Sequence, residues 1–357
     1  MKKLLILSTA LVGAGFAASA QELNIVSWGG AYTVSQVEAY HKPFTEMTGI
    51  KINSIDADNP ASPLKAQAEA GNVSIDLADV ELSDAIRLCD EGLLEEIDPA
   101  MLPPAPDGTP ATEDFVPGAI QDCAVANIVW GTVIAYDKTK FPDAPPSTLA
   151  DFFDLEKYPG KRGLLKSAKR TLEMALVADG VPSDQVYEVL GTDEGVARAL
   201  AKLDTIKDSV VWWEAGAQPP QLLADGEVVM TTGYNGRFFA AEVGEGKPFG
   251  TIWDGTYMDY DLWVIPKGAP NKEAAMKFLA FSTDTQRLAD QAKWIAYGPA
   301  RKSSSALVSL YQDGKTEMAP YMPTNPANMI NPIWTDPTFW ADRDVELSER
   351  FNAWLAS

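Results

Sequence analysis

The sequence predicts an α/β protein of two lobes, with mainly parallel sheets and helices on both faces. Strand-like and helix-like runs alternate from Glu22 to Glu96 as βαβαβα, and such alternation implies a parallel sheet covered on both sides. A second alternation begins near residue 147 and runs to Val243. The chain has 357 residues, 46% of them hydrophobic, which is more than one ordinary domain and enough for two cores.

Taken in order, Leu23–Ser27, Ile50–Ile55 and Ile75–Val80 read as strands. Between them lie helices at Ser35–Thr48, stopped by Gly49, and at Pro63–Ala70, stopped by Gly71. A third helix, Ser83–Glu91, is capped by Ser83 and closed by Gly92. Ligands of such sheets bind beyond the carboxyl ends of the strands, here Ser27-Trp28-Gly29-Gly30 and Val80-Glu81-Leu82-Ser83. A Pro-rich loop from Pro99 to Pro117 follows, and then a long apolar run, Ala124–Tyr136, read as the first crossing into a second lobe.

In the second lobe, strands are expected at Gly163–Leu165, Val210–Trp213 and Val228–Thr232. Helices are expected at Ser147–Phe153, Arg170–Ala178, Asp184–Leu190, Glu194–Ile206, Pro220–Ala224 and Arg237–Val243. Leu262–Pro266 is the return crossing, followed by helices at Asn271–Phe281, Thr285–Trp294 and Val345–Ala356.

The first twenty residues have the pattern of an export signal: basic Met1-Lys2-Lys3, apolar Leu4–Ala18, and an A-x-A site at Ala18-Ser19-Ala20. Cleavage after Ala20 would start the mature chain at Gln21, with no cysteine there to carry a lipid and no later run long enough to span a membrane. The expected location is the periplasm. The formal charge of −21 argues against nucleic acid as a partner. Cys89 and Cys123 suit a disulfide in an oxidising compartment; two free thiols, or one nucleophilic cysteine, are the alternatives. His41 is the only histidine, which excludes a Ser-His-Asp triad and a multi-His metal site. No nucleotide, zinc or hydrolase motif is present, and no cofactor or metal is expected.

The stretch from Trp253 to Pro266 gathers acids and rings ahead of an apolar run. On a strand Tyr257, Asp259 and Asp261 share one side, and two carboxylates with a ring suit an organic ammonium.

These features occur together with Trp28-Gly29-Gly30-Ala31-Tyr32, Phe44-Thr45-Glu46-Met47-Thr48-Gly49, Asp90-Glu91-Gly92-Leu93-Leu94, Trp130-Gly131-Thr132, Tyr158-Pro159-Gly160-Lys161 and Tyr234-Asn235-Gly236. In that order they resemble the periplasmic solute-binding proteins of ABC importers of the spermidine/putrescine type, over essentially the whole mature chain. The resemblance implies the two-lobed type II periplasmic binding protein fold with an interlobe ligand cleft. It places lobe 1 at residues 21–133 and 263–308, lobe 2 at 138–259 and 312–357, and hinge crossings near 134–137 and 260–262. It also implies a monomer that captures a small amine-bearing solute and delivers it to the membrane permease subunits.

Carried over residue by residue, the resemblance puts ligand contacts at Trp28, Gly29 and Tyr32, at Glu81 or Ser83, at Tyr234, at Tyr297, and at Asp261 as the amine anchor. The chain departs from polyamine binders after the Gly163–Leu165 strand, where Ser167-Ala168-Lys169-Arg170 stands in place of acids, and Asp259 replaces a tryptophan. Ser167 with Arg170 at a helix start, helped by Arg237, suits an anion. A charge-polarised site of this kind fits an amino-carboxylate such as 4-aminobutyrate better than a diamine such as putrescine. The alternative is a secreted enzyme on the same scaffold, resembling thiamin-degrading enzymes, with one cysteine as nucleophile.

Overall fold

The computed structural model describes residues 22–357, so the expected signal segment at 1–20 lies outside the described residues. Its strands are β1 (Glu22–Ser27), β2 (Lys51–Asp56), β3 (Leu77–Glu81), β4 (Ile120–Gln121), β5 (Ala124–Asp137), β6 (Arg162–Leu165), β7 (Val210–Trp213), β8 (Met230–Tyr234), β9 (Phe249–Val264), β10 (Gly298–Pro299) and β11 (Ile333–Trp334). They form one sheet with the order β2-β1-β3-β9-β5-β8-β6-β7. The outer strands of each lobe are parallel, β2-β1-β3 on one side and β8-β6-β7 on the other.

The two lobes are joined by β5 and β9, which run antiparallel to each other through both. The first twelve residues of β5 are buried, as expected of a strand covered on both faces. Near its end β9 pairs with β3, through Asp261 to Val264. On the other side β5 pairs with β8 through Thr132 to Tyr136. The first half of β9 carries Asp254 and Gly255, poor strand formers that hid it from a reading by propensity.

Two main cores flank the crossing. One packs Leu23, Ile25, Phe44, Leu77, Trp263 and Phe278; the other packs Phe152, Leu172, Leu176, Val196, Tyr257 and Trp340. Each large side chain buried in this way contributes about 1.5–3 kcal/mol. Helices fall close to their predicted spans, with informative differences. The first begins at Gly30 rather than Ser35, because Gly29 and Gly30 take φ of 74° and 61° and turn the chain directly out of β1 into the helix. Ser83 is not the cap of its helix: Glu81 occupies that position and Leu82–Asp90 is helical. The C-terminal helix is Pro337–Ala356, started by Asp336, whose carboxylate accepts from the Phe339 amide.

Cys89 and Cys123 form a disulfide with Cα atoms 5.8 Å apart, tying the Leu82–Asp90 helix to the start of β5. Among the described residues no free cysteine remains, so the nucleophile required by the enzyme alternative is bonded. No described helix is long and apolar enough to cross a membrane, and no described cluster of His, Cys, Asp and Glu could hold a metal ion.

Candidate functional site

A cavity of about 370 Å³ lies between the lobes. The turn after β1 supplies Trp28, Gly29 and Tyr32, the end of β3 supplies Glu81, and β9 supplies Asp261. From the second lobe come Tyr234, at the end of β8, and Arg237, on the Asn235–Phe239 helix; Tyr297 approaches just before β10. These eight residues named from the sequence therefore meet at one cavity. Ser167 and Arg170 line an adjoining opening that shares Trp28, Glu81 and Tyr234. Ser83 and Asp259 line neither.

At one end the cavity is negative. Asp261 is 6% exposed, accepts a hydrogen bond of 3.0 Å from Trp130 Nε1, and has no ion-pair partner among the described residues. Burial raises its pKa well above the usual carboxylate range, and the neighbouring acids Asp79, Glu81 and Asp259 raise it further. Beneath it Asp79 is fully buried and accepts from Tyr32 Oη at 2.8 Å, Gln36 Nε2 at 2.5 Å and Asn127 Nδ2 at 2.8 Å. Burial outweighs those hydrogen bonds and pushes Asp79 up to about 7. A cation entering here would relieve a charge deficit built into the fold.

Rings wall the space above. Tyr32 and Tyr297 meet edge to face with centroids 5.5 Å apart, and Tyr234 meets Trp130 at 5.3 Å. Gly236 makes room for this wall, since a Cβ there would lie 2.6 Å from the Tyr297 ring.

The opposite polarity comes from Arg237. Its Nη2 donates to the Trp28 carbonyl oxygen at 2.9 Å, from the second lobe to the first, and no described carboxylate pairs with it. Glycine lets the guanidinium come close: a Cβ on Gly30 would lie 2.9 Å from Nη1. The planar fork thus keeps donors for a carboxylate.

Arg170, expected to meet the ligand's anion, is instead found paired within the protein. Its Nη1 lies 2.6 Å from Glu81 Oε1, and its guanidinium sits over the Trp130 and Tyr234 rings at 5.5 and 5.8 Å. Lys169 Nζ holds the other oxygen of Glu81 at 2.9 Å, donates to Ser83 Oγ at 2.9 Å, and lies 3.2 Å from Asp259 Oδ2. Burial would push Glu81 up, but Arg170 and Lys169 prevail and hold its carboxyl well below the usual range. Glu81, Ser83, Asp259, Lys169 and Arg170 are therefore joined in one network of ion pairs and hydrogen bonds, in which Asp259 Oδ2 and Arg170 Nε have no hydrogen-bond partner among the described residues. Lys169 and Arg170 leave helical geometry to do so, with Arg170 at φ 76°, a left-handed conformation rare for a side chain other than glycine.

Sequence comparison decides the family. A family model described as bacterial extracellular solute-binding protein matches residues 39–324. The chain belongs to that family. Among its relatives, a gamma-aminobutyric acid-binding protein of Pseudomonas aeruginosa is 45% identical over 350 residues, covering 97% of this chain and 95% of the relative. The solved structure of MotA from A. tumefaciens B6 in complex with glucopine superposes with a TM-score of 0.84 at 32% identity, covering 94% of this chain and 100% of that one. A solved GABA receptor superposes with a TM-score of 0.79 at 33% identity, covering 94% and 98% of the two chains. This solute-binding protein has the two-lobed type II fold of ABC-importer binding proteins, with the cleft between its lobes.

Several residues at the cleft of this solute-binding protein were not singled out from the sequence: Asp56 and Asp58 at and after the end of β2, Glu214 after β7, Trp130 and Lys169. Trp130 lines the cavity and orients Asp261, yet it reads as core because it stands in a continuous apolar run. Lys169 was noted only as part of a basic segment; its partners lie 88 and 90 positions away in sequence, at Glu81 and Asp259, and no local pattern reports that. Trp340, in the C-terminal helix, donates from Nε1 to the buried Glu173 at 2.6 Å and anchors that helix to the second lobe.

Proposed function

We propose that this protein captures an ω-amino carboxylate of the 4-aminobutyrate class by closure of its lobes and hands it to the permease of an ABC importer in the periplasm. The observation that carries the reading is an acid and a base at one cavity, Asp261 and Arg237, neither with an ion-pair partner among the described residues; Asp56, Asp58 and Glu214 line the same cavity, and Arg237 is its one lining cation. The ammonium is held by Asp261 within a wall of Tyr32, Trp28 and Tyr297, and the carboxylate by the fork of Arg237. Lobe closure dries both ends and strengthens them. The relative named for gamma-aminobutyric acid binding supports the same class.

A diamine or polyamine fits less well. Its second ammonium would face Arg237, or would have to displace Lys169 and Arg170 from Glu81. Isothermal titration of the mature protein with 4-aminobutyrate, 5-aminopentanoate, 1,4-diaminobutane and spermidine tests the reading. Tight binding confined to the amino carboxylates is expected; preference for 1,4-diaminobutane would overturn it.

A further inference from the structure

The surroundings of Lys169 are those of a bound ligand. An ammonium donates and does not accept; Lys169 Nζ donates to Glu81 Oε2 at 2.9 Å and to Ser83 Oγ at 2.9 Å, and lies 3.2 Å from Asp259 Oδ2 as an ion pair. The side chain is 8% exposed and reaches these groups from the helix start in the second lobe. The nest it fills adjoins the cavity, because Glu81 lines both and stands opposite Asp261 in the β3–β9 register. Asp259 and Asp261 are two residues apart on one face of β9, so their carboxylates are offset by about 7 Å along the strand, a span that a four-carbon diamine bridges.

We infer that Lys169 is the specificity-determining residue of the cleft: its own ammonium fills a second amine site, made by Glu81, Ser83 and Asp259, and so confines ligands to a single ammonium. The inference rests on the reading of Asp261 as the amine anchor. A diamine docked on Asp261 would bring its second charge against Lys169 in a site shielded from water, where like charges repel most strongly. Removing the lysine stem and ammonium leaves Glu81 Oε2, Asp259 and Ser83 facing the cavity, while Arg170 still holds Glu81 Oε1.

The test is Lys169→Ala in the full mature chain, titrated with 1,4-diaminobutane and with 4-aminobutyrate. The variant should bind 1,4-diaminobutane at least about tenfold more tightly than the wild type does, and the diamine should raise its melting temperature more than that of the wild type. Lys169→Met, which fills the same space without charge, should gain no diamine binding. Lys169→Ser, which also clears the stem and ammonium and leaves Glu81, Ser83 and Asp259 intact, serves if Lys169→Ala folds poorly; refolding yields of both are compared with and without 1,4-diaminobutane. No gain in diamine affinity by folded Lys169→Ala or Lys169→Ser, or refolding of these two that the diamine does not improve, overturns the inference. Wild-type binding of 4-aminobutyrate is read in parallel. If it is absent while Lys169→Ala gains the diamine, the ligand class proposed above fails and the role of Lys169 stands.

Discussion

Two halves of one cleft carry the same kinds of side chain and differ in whether those side chains are already satisfied. Around Glu81 and Asp259 the acids meet Lys169 and Arg170, and for Glu81 the cations come from the opposite lobe. Around Asp261 and Arg237, acid and base face the cavity without ion-pair partners among the described residues. The first half ties Glu81 of one lobe to Lys169 and Arg170 of the other; the second is the half to which the proposed function assigns the ligand. A carboxylate or guanidinium shielded from water is costly when unpaired, so the charges left over mark the ligand's ends more sharply than a count of charged residues can.

The largest effect should follow from Asp261→Asn, which removes the ammonium's counter-charge. Loss of one partner of a buried, hydrogen-bonded ion pair costs about 2–5 kcal/mol, a loss of roughly thirtyfold or more in affinity for 4-aminobutyrate by titration calorimetry. Arg237→Ala should cost about 2–4 kcal/mol of binding with little change in melting temperature, and Arg237→Lys should recover only part of it because the bidentate fork is lost. Arg170→Ala should invert that pattern. Its binding loss should stay within about fivefold, while thermal stability falls by about 1–3 kcal/mol because a buried interlobe partner of Glu81 is gone.

Two smaller effects concern pH. In the empty protein burial and the nearby acids raise the pKa of Asp261, whereas a bound ammonium would lower it. Binding therefore releases a proton, and affinity should weaken as pH falls through the empty-state pKa; titrations in buffers of different ionisation enthalpy would measure that release. Glu81 has the opposite sign for stability, since Arg170 and Lys169 depress its folded pKa below the unfolded value of 4.5. Its contribution is full above 4.5 and is lost as pH falls through about 2, so urea midpoints measured through that window should decline less in Glu81→Gln than in the wild type.

Much of this arrangement is legible from residues alone because it sits at strand ends. Trp28-Gly29-Gly30 after β1, Glu81 at the end of β3 and Tyr234 at the end of β8 lie where a parallel sheet presents its ligands. The alternation of Asp259 and Asp261 on β9 also follows from the two-residue period of a strand. What stays hidden is the pairing. Arg170 and Arg237 look equivalent in sequence, and only the reach of Glu81 across the cleft separates them. Similarly, Asp259 and Asp261 are chemically identical neighbours, divided by Lys169 and Trp130, which meet them through the fold.

The central claim is that Asp261 and Arg237 receive the two ends of one ligand while Arg170 does not. Titration calorimetry of 4-aminobutyrate against wild type, Arg237→Ala and Arg170→Ala tests it most directly. The account predicts binding by wild type, loss of about a hundredfold in Arg237→Ala, and affinity within about fivefold of wild type in Arg170→Ala. Binding that survives Arg237→Ala and disappears in Arg170→Ala would contradict it.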